Sequence, residues 1–197
     1  MKQKSKWAFV LLSVMLSTNL WGANHTGTFK KITSVDDLTT GYYVVTASSN
    51  ASSNAGYALG STVNSDKRAT GVSVTISKNA ILDPATTIVY YITKNTSGYS
   101  FKNESTGKYL YQASTTSGKG MGFKDGEVNF TLAGYNSSSP QGFRFTLDGS
   151  FNNYFKYNAS SKWFANYAND YSTSMTPVDL YKLASEKTDV YLNTKSA

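Results

Sequence analysis

The feature that most constrains this chain is an alternation of apolar and polar residues written three times in the same order. Tyr43 and Val45 recur as Tyr99 and Phe101, 56 residues on, and as Phe155 and Tyr157, 56 further. Ile88, Tyr90 and Ile92 match Phe143, Phe145 and Leu147. Val72, Val74 and Ile76 match Val128, Phe130 and Leu132, with Val178 and Leu180 following in a third copy. Tyr57, Tyr109 and Trp163 also recur, at offsets of 52 and 54. Residues two apart on a strand face the same side. Holding that parity through three copies is what a single core built from three similar units demands.

The strands predicted on this basis fall into four kinds. GTFKKI (27–32), TIVYYI (87–92) and GFRFTL (142–147) form the first. GYYVV (41–45), GYSFKN (98–103) and NYFKYN (153–158) form the second. GYALGS (56–61), KYLYQA (108–113) and KWFANY (162–167) form the third. GVSVTIS (71–77), EVNFTLA (127–133) and TPVDLYKL (176–183) form the fourth. Twelve strands follow, in repeats at about 27–77, 87–133 and 142–183. Helical periodicity is missing beyond residue 22, apart from one turn expected at 34–40 with Ser34 as its cap. The expectation is an all-β protein with polar turns, in one domain over 23–183. The same alternation would also allow a two-sheet sandwich.

The first 22 residues read as a signal peptide. Lys2, Lys4 and Lys6 precede the apolar run AFVLLSVML, which is too short to span a bilayer as a helix. Cleavage is expected near Gly22 or Ala23, giving a secreted, periplasmic or cell-surface product. No other apolar run reaches membrane length. The full chain carries +7, and its first 22 residues hold three lysines and no acid, which leaves +4. That balance is too mild for the dense basic stripe of a nucleic-acid binder. The chain has no cysteine, so its stability must come from a core rather than disulfides. The polar stretch 184–197 reads as a tail or linker.

The middle copy, YSFKNESTGKYLYQAS, carries a resemblance. A strand, a small turn with Gly-Lys and an aromatic-Leu strand are similar to the ricin-B-like lectin repeat, over residues 27–183. The Gln-x-Trp signature of that family is absent from all three copies. The chain equally resembles the accessory domains of secreted bacterial surface proteins. The resemblance implies a β-trefoil-like barrel with a pseudo-threefold repeat of four-stranded units, and a binding role.

Catalytic chemistry finds little support in the inventory. A phosphate loop needs a glycine five residues before Gly107, where Lys102 stands, so STGK reads as a hairpin turn. With no cysteine, Cys–His chemistry and His/Cys metal sites are excluded, and a Ser–His pair would have to use His25, the single histidine, two or three residues past the expected cleavage site. Asp125 and Glu127 lie close together without a calcium-loop pattern. No metal or cofactor is expected. Paired carboxylates would be required for glycoside hydrolysis, and the aspartates, Asp36 and Asp37 among them, lie in or next to predicted turns with no two set across a cleft by the sequence.

Aromatic residues are the remaining signal, with 15 Tyr, 10 Phe and 3 Trp. Rings stacked on sugar C–H faces beside polar groups would bind carbohydrate. The stretch KWFANYANDYST offers Trp163, Tyr167, Asn169, Asp170 and Tyr171. The second copy adds Tyr109, Tyr111, Lys119 and Asp125, and the first adds Tyr57, Asp66 and Arg68. The expected function is a secreted, non-catalytic, lectin-like module. An adhesion module that binds a cell-surface protein is the alternative. A trefoil protease inhibitor would need the stretch 114–126 as an exposed loop.

Overall fold

The computed structural model describes residues 25–48, 56–114, 117–138, 141–146, 153–168 and 174–185. These hold fifteen strands and one short 3-10 turn at Thr86–Ile88. The strands are β1 (Thr28–Lys31), β2 (Gly41–Ala47), β3 (Tyr57–Val63), β4 (Ala69–Ser73) and β5 (Ala80–Leu82). Next come β6 (Val89–Asn95), β7 (Gly98–Asn103), β8 (Tyr109–Gln112), β9 (Met121–Lys124) and β10 (Asn129–Asn136). The last five are β11 (Gly142–Thr146), β12 (Tyr154–Asn158), β13 (Trp163–Tyr167), β14 (Met175–Thr176) and β15 (Val178–Ser185).

Antiparallel pairing closes β2, β6, β7, β10, β11 and β15 into a ring. Closure removes the free edges that an open sheet would leave to other chains. The threefold pattern lies at three junctions. β15 pairs with β2, β6 with β7, and β11 with β12. After each junction a further strand folds back, as β3, β8 and β13. This is a β-trefoil-like, pseudo-threefold barrel.

The parity read from sequence locates the core. Tyr43, Val45, Tyr90, Ile92, Tyr99, Phe101, Phe143, Phe145, Phe155 and Tyr157 all lie in one buried cluster. Phe101 meets Phe130 and Phe145 edge-on, with ring centres 5.2 and 5.1 Å apart. Edge contacts of this kind add to the stabilisation from area burial alone. Tyrosine hydroxyls inside the barrel need partners. Tyr90 donates to the Gly60 carbonyl at 2.6 Å, and Tyr43 donates to that of Thr39 at 2.5 Å. Burial pushes the Tyr43 phenol up to about 12.

Several expectations need correction. GTFKKI is not the first-copy equivalent of TIVYYI. It forms β1, which pairs with β15 and β5 and lies against the outside of the barrel. Phe29 and Ile81 there cover Val44, Val89 and Tyr181, residues of opposite parity to the barrel core. The place in the ring that β1 was expected to fill belongs to β15. A buried ion pair, Lys31 to Asp179 at 2.9 Å, ties the two strands. GVSVTIS is a strand only as far as Ser73, and Val72 is exposed rather than inward. Ser77 and Ala80 then close a hairpin turn. The stretch 34–40 makes turns without a helix. The Ser34 hydroxyl accepts from the Asp36 amide two residues on, and Leu38 is drawn into the core.

Candidate functional site

Residues of the parity opposite to the core form a row on the outer face of the sheet. The register sets Tyr42 opposite Tyr91, Tyr91 opposite Lys102, Lys102 opposite Tyr109, and Tyr109 opposite Lys124. Cross-strand neighbours in register sit within side-chain reach, so the row is continuous. At its Tyr42–Tyr91 end is an open groove of about 530 Å³, lined by Tyr42, Tyr91, Lys102, Asn103, Glu104 and Gly107. Tyr91 is 36% exposed. It meets Tyr42 edge-on at 5.0 Å, and Tyr42 lies 4.8 Å from the His25 ring. His25 in turn contacts Phe29 edge-on at 5.5 Å, which anchors the ring series on the packed outer cluster.

The polar groups of the groove are held by the turn at 103–108. The Asn103 side chain is buried and fully engaged. Its amide donates to the Thr87 and Val89 carbonyls, and its oxygen accepts from the Thr106 amide and hydroxyl. The Gly107 amide donates to the Asn103 carbonyl at 2.9 Å. Gly107 has φ +67°, and a β-carbon there would meet nothing within 4 Å, so conformation alone calls for glycine. The Gly-Lys pair serves this turn, as expected. Glu104 projects beside the groove, its carboxylate 3.6 Å from His25 Nε2. Burial raises the Glu104 pKa, and the neighbouring His25 opposes that rise. Lys102 lies 5.7 Å over the Tyr109 ring.

The site residues expected in the third copy are placed differently. Tyr167 is 8% exposed, and its hydroxyl accepts from Asn158 Nδ2 and Trp163 Nε1, both at 3.0 Å. A ring so enclosed has no face for a ligand. Trp163 is half-buried, with the Arg68 guanidinium 4.1 Å over its ring. Arg68 also donates to the Gly118 carbonyl and to Asp66, and Lys119 lies 3.9 Å from the same carboxylate. The candidates Asp66, Arg68, Lys119, Trp163 and Tyr167 are thus brought together, as a clamp between three units. Tyr111 packs over Gly122 with Lys124 5.1 Å from its ring, and Asp125 is exposed in the following turn. Asn169, Asp170 and Tyr171 lie outside the described residues.

The stretch 114–126 is not the free loop that an inhibitor would need. Its described part is bonded to Asn166 and Lys67, and Met121 is fully buried. Among the described residues, no cluster of three or more His, Asp or Glu could hold a metal ion. No helix among them is long and apolar enough to cross a membrane.

Sequence reasoning missed Tyr42, Tyr91, Lys102 and Glu104. The signal was present in parity, because Tyr42 and Tyr91 flank core residues Tyr43, Tyr90 and Ile92 and must therefore point outward.

No family model matches the chain, and no curated protein matches it. Among solved structures, the chain is similar to a designed threefold symmetric protein, ThreeFoil, with a TM-score of 0.47 and 16% identity. That match covers 72% of this chain and 99% of the designed one. The fold described above rests on the strand pairing.

Proposed function

We propose that this chain is an exported, non-catalytic module that binds carbohydrate in the Tyr42–Tyr91 groove. The observation that carries the reading is the exposed Tyr91 ring beside Lys102 and Glu104, on a row of paired strands. Its face stacks on the C–H face of a pyranose. Glu104 accepts from sugar hydroxyls, and the Lys102 ammonium donates to them. The engaged Asn103 holds the turn without touching the ligand, so little order has to be gained on binding. Export follows from the basic and apolar segment at residues 2–16. Glu104 is the one carboxylate among the described lining residues, which favours binding over acid–base hydrolysis.

Binding to a glycan array of plant, microbial and animal polysaccharides tests this. The wild type is expected to bind at least one class, and Tyr91→Ala with Glu104→Gln to bind none. Absence of wild-type binding across the array rejects the reading. Equal binding by the double variant moves the site elsewhere.

A further inference from the structure

The turn at 103–108 has a second groove on its other side. This one encloses about 560 Å³ and is lined by Ser61, Thr62, Val63, Ser105, Thr106, Lys108 and Phe123. Lys102 and the residues of this turn thus divide between two grooves. Lys102, Asn103, Glu104 and Gly107 face the first, and Ser105, Thr106 and Lys108 face the second. The electrostatics of the two differ. The first sets Lys102 against Glu104, so its lining charges cancel. In the second, Lys108 is the one charged side chain among the described lining residues. Lys108 is exposed, and no carboxylate among the described residues pairs with it. Phe123 offers an apolar surface there, and Ser61, Thr62 and Ser105 bring hydroxyls.

We infer that the second groove is a subsite for an acidic sugar unit, so that the preferred ligand is a polysaccharide carrying carboxylate or sulfate groups. This rests on the carbohydrate reading of the first groove and extends it. The Lys108 ammonium pairs with the anionic substituent in a charge-assisted hydrogen bond, while Phe123 packs against the ring that bears it. The backbone geometry of the turn holds Lys108 in place. The Lys108 carbonyl accepts from the Asn103 amide at 2.9 Å, and its amide donates to the Thr106 hydroxyl at 3.3 Å. Its side chain makes none of these bonds, so replacing it leaves the turn intact.

The experiment compares wild type with Lys108→Gln in affinity gels. The panel holds hyaluronan and polygalacturonate with their carboxyl-reduced forms, and chondroitin sulfate and heparin with forms both carboxyl-reduced and desulfated, N-acetylated in the case of heparin, as neutral counterparts. The acidic polymers are expected to be retarded more than their neutral forms. Lys108→Gln should weaken acidic binding by roughly tenfold, the scale of one charge-assisted bond, and leave neutral binding unchanged. Added salt should reduce the acidic preference in the wild type. On chondroitin sulfate and heparin, loss of binding on carboxyl reduction alone, or on desulfation alone, identifies the substituent. Equal binding of acidic and neutral forms, or no effect of Lys108→Gln, overturns the subsite while the first groove stands. Failure of every polymer to bind overturns both.

Discussion

The turns at 103–108 and 158–163 are two copies of one device, and they have come to opposite uses. In each, an asparagine side-chain oxygen accepts from the amide three residues on. In each, the carbonyl of that asparagine accepts from the amide four residues on. In each, that fourth residue takes positive φ, +67° at Gly107 and +57° at Lys162. The backbones agree, but the side chains around them do not. Beside the first turn, two grooves stay open. Beside the second, Trp163 is covered by Arg68 and tied to Tyr167, and the Lys162 carbonyl accepts from the Gly71 amide of the neighbouring unit. The fold thus supplies the same turn at two places, and side-chain filling joins units at one and leaves grooves open at the other.

The contrast is broken most severely by removing the clamp. Trp163→Ala should cost about 3 kcal/mol, the low end for deleting a large aromatic, because the ring is only half-buried. Thermal or urea unfolding reads this loss, and polysaccharide binding by the folded fraction should be unchanged. Arg68→Ala comes next, at about 2 kcal/mol, for the cation–π contact together with the bond to the Gly118 carbonyl. Gly107→Ala sharpens the comparison from the other side. A β-carbon at that φ costs about 1 kcal/mol even with empty space around it, seen as a lower urea midpoint.

The smallest effect is a dependence on pH. The folded state raises the pKa of Glu104 above 4.5, chiefly through burial and against the pull of His25, the titratable group facing it. In the window above 4.5 the folded chain then holds a proton that the unfolded chain releases. Stability contributed by Glu104 is thus present below that window and declines as pH rises through it. Melting curves across the window should show this decline flattened in Glu104→Gln.

Much of the fold could be read from parity. Tyr43, Tyr99 and Phe155 are buried in one cluster because period-two spacing forces same-parity residues to share a face. Parity could not tell β1 from β15, since both alternate and only long-range pairing decides which one closes the ring. The candidate site was legible only in part. Trp163 and Tyr167 stood out by residue type, but their exposure depended on Arg68 and Asn158, which lie in other strands or turns. Glu104 looked like an ordinary turn residue, and its place beside Tyr42 and Tyr91 comes from the meeting of β2, β6 and β7.

The central claim is that ligand meets the open turn of the second copy and not the filled turn of the third. Affinity electrophoresis of Tyr91→Ala beside Trp163→Phe, over the same polysaccharide panel, tests it most directly. Both variants should keep the fold, since Tyr91 is exposed and phenylalanine preserves most of the packing under Arg68. The account predicts that Tyr91→Ala abolishes retardation and Trp163→Phe retains it. Retardation lost in Trp163→Phe and kept in Tyr91→Ala would contradict it.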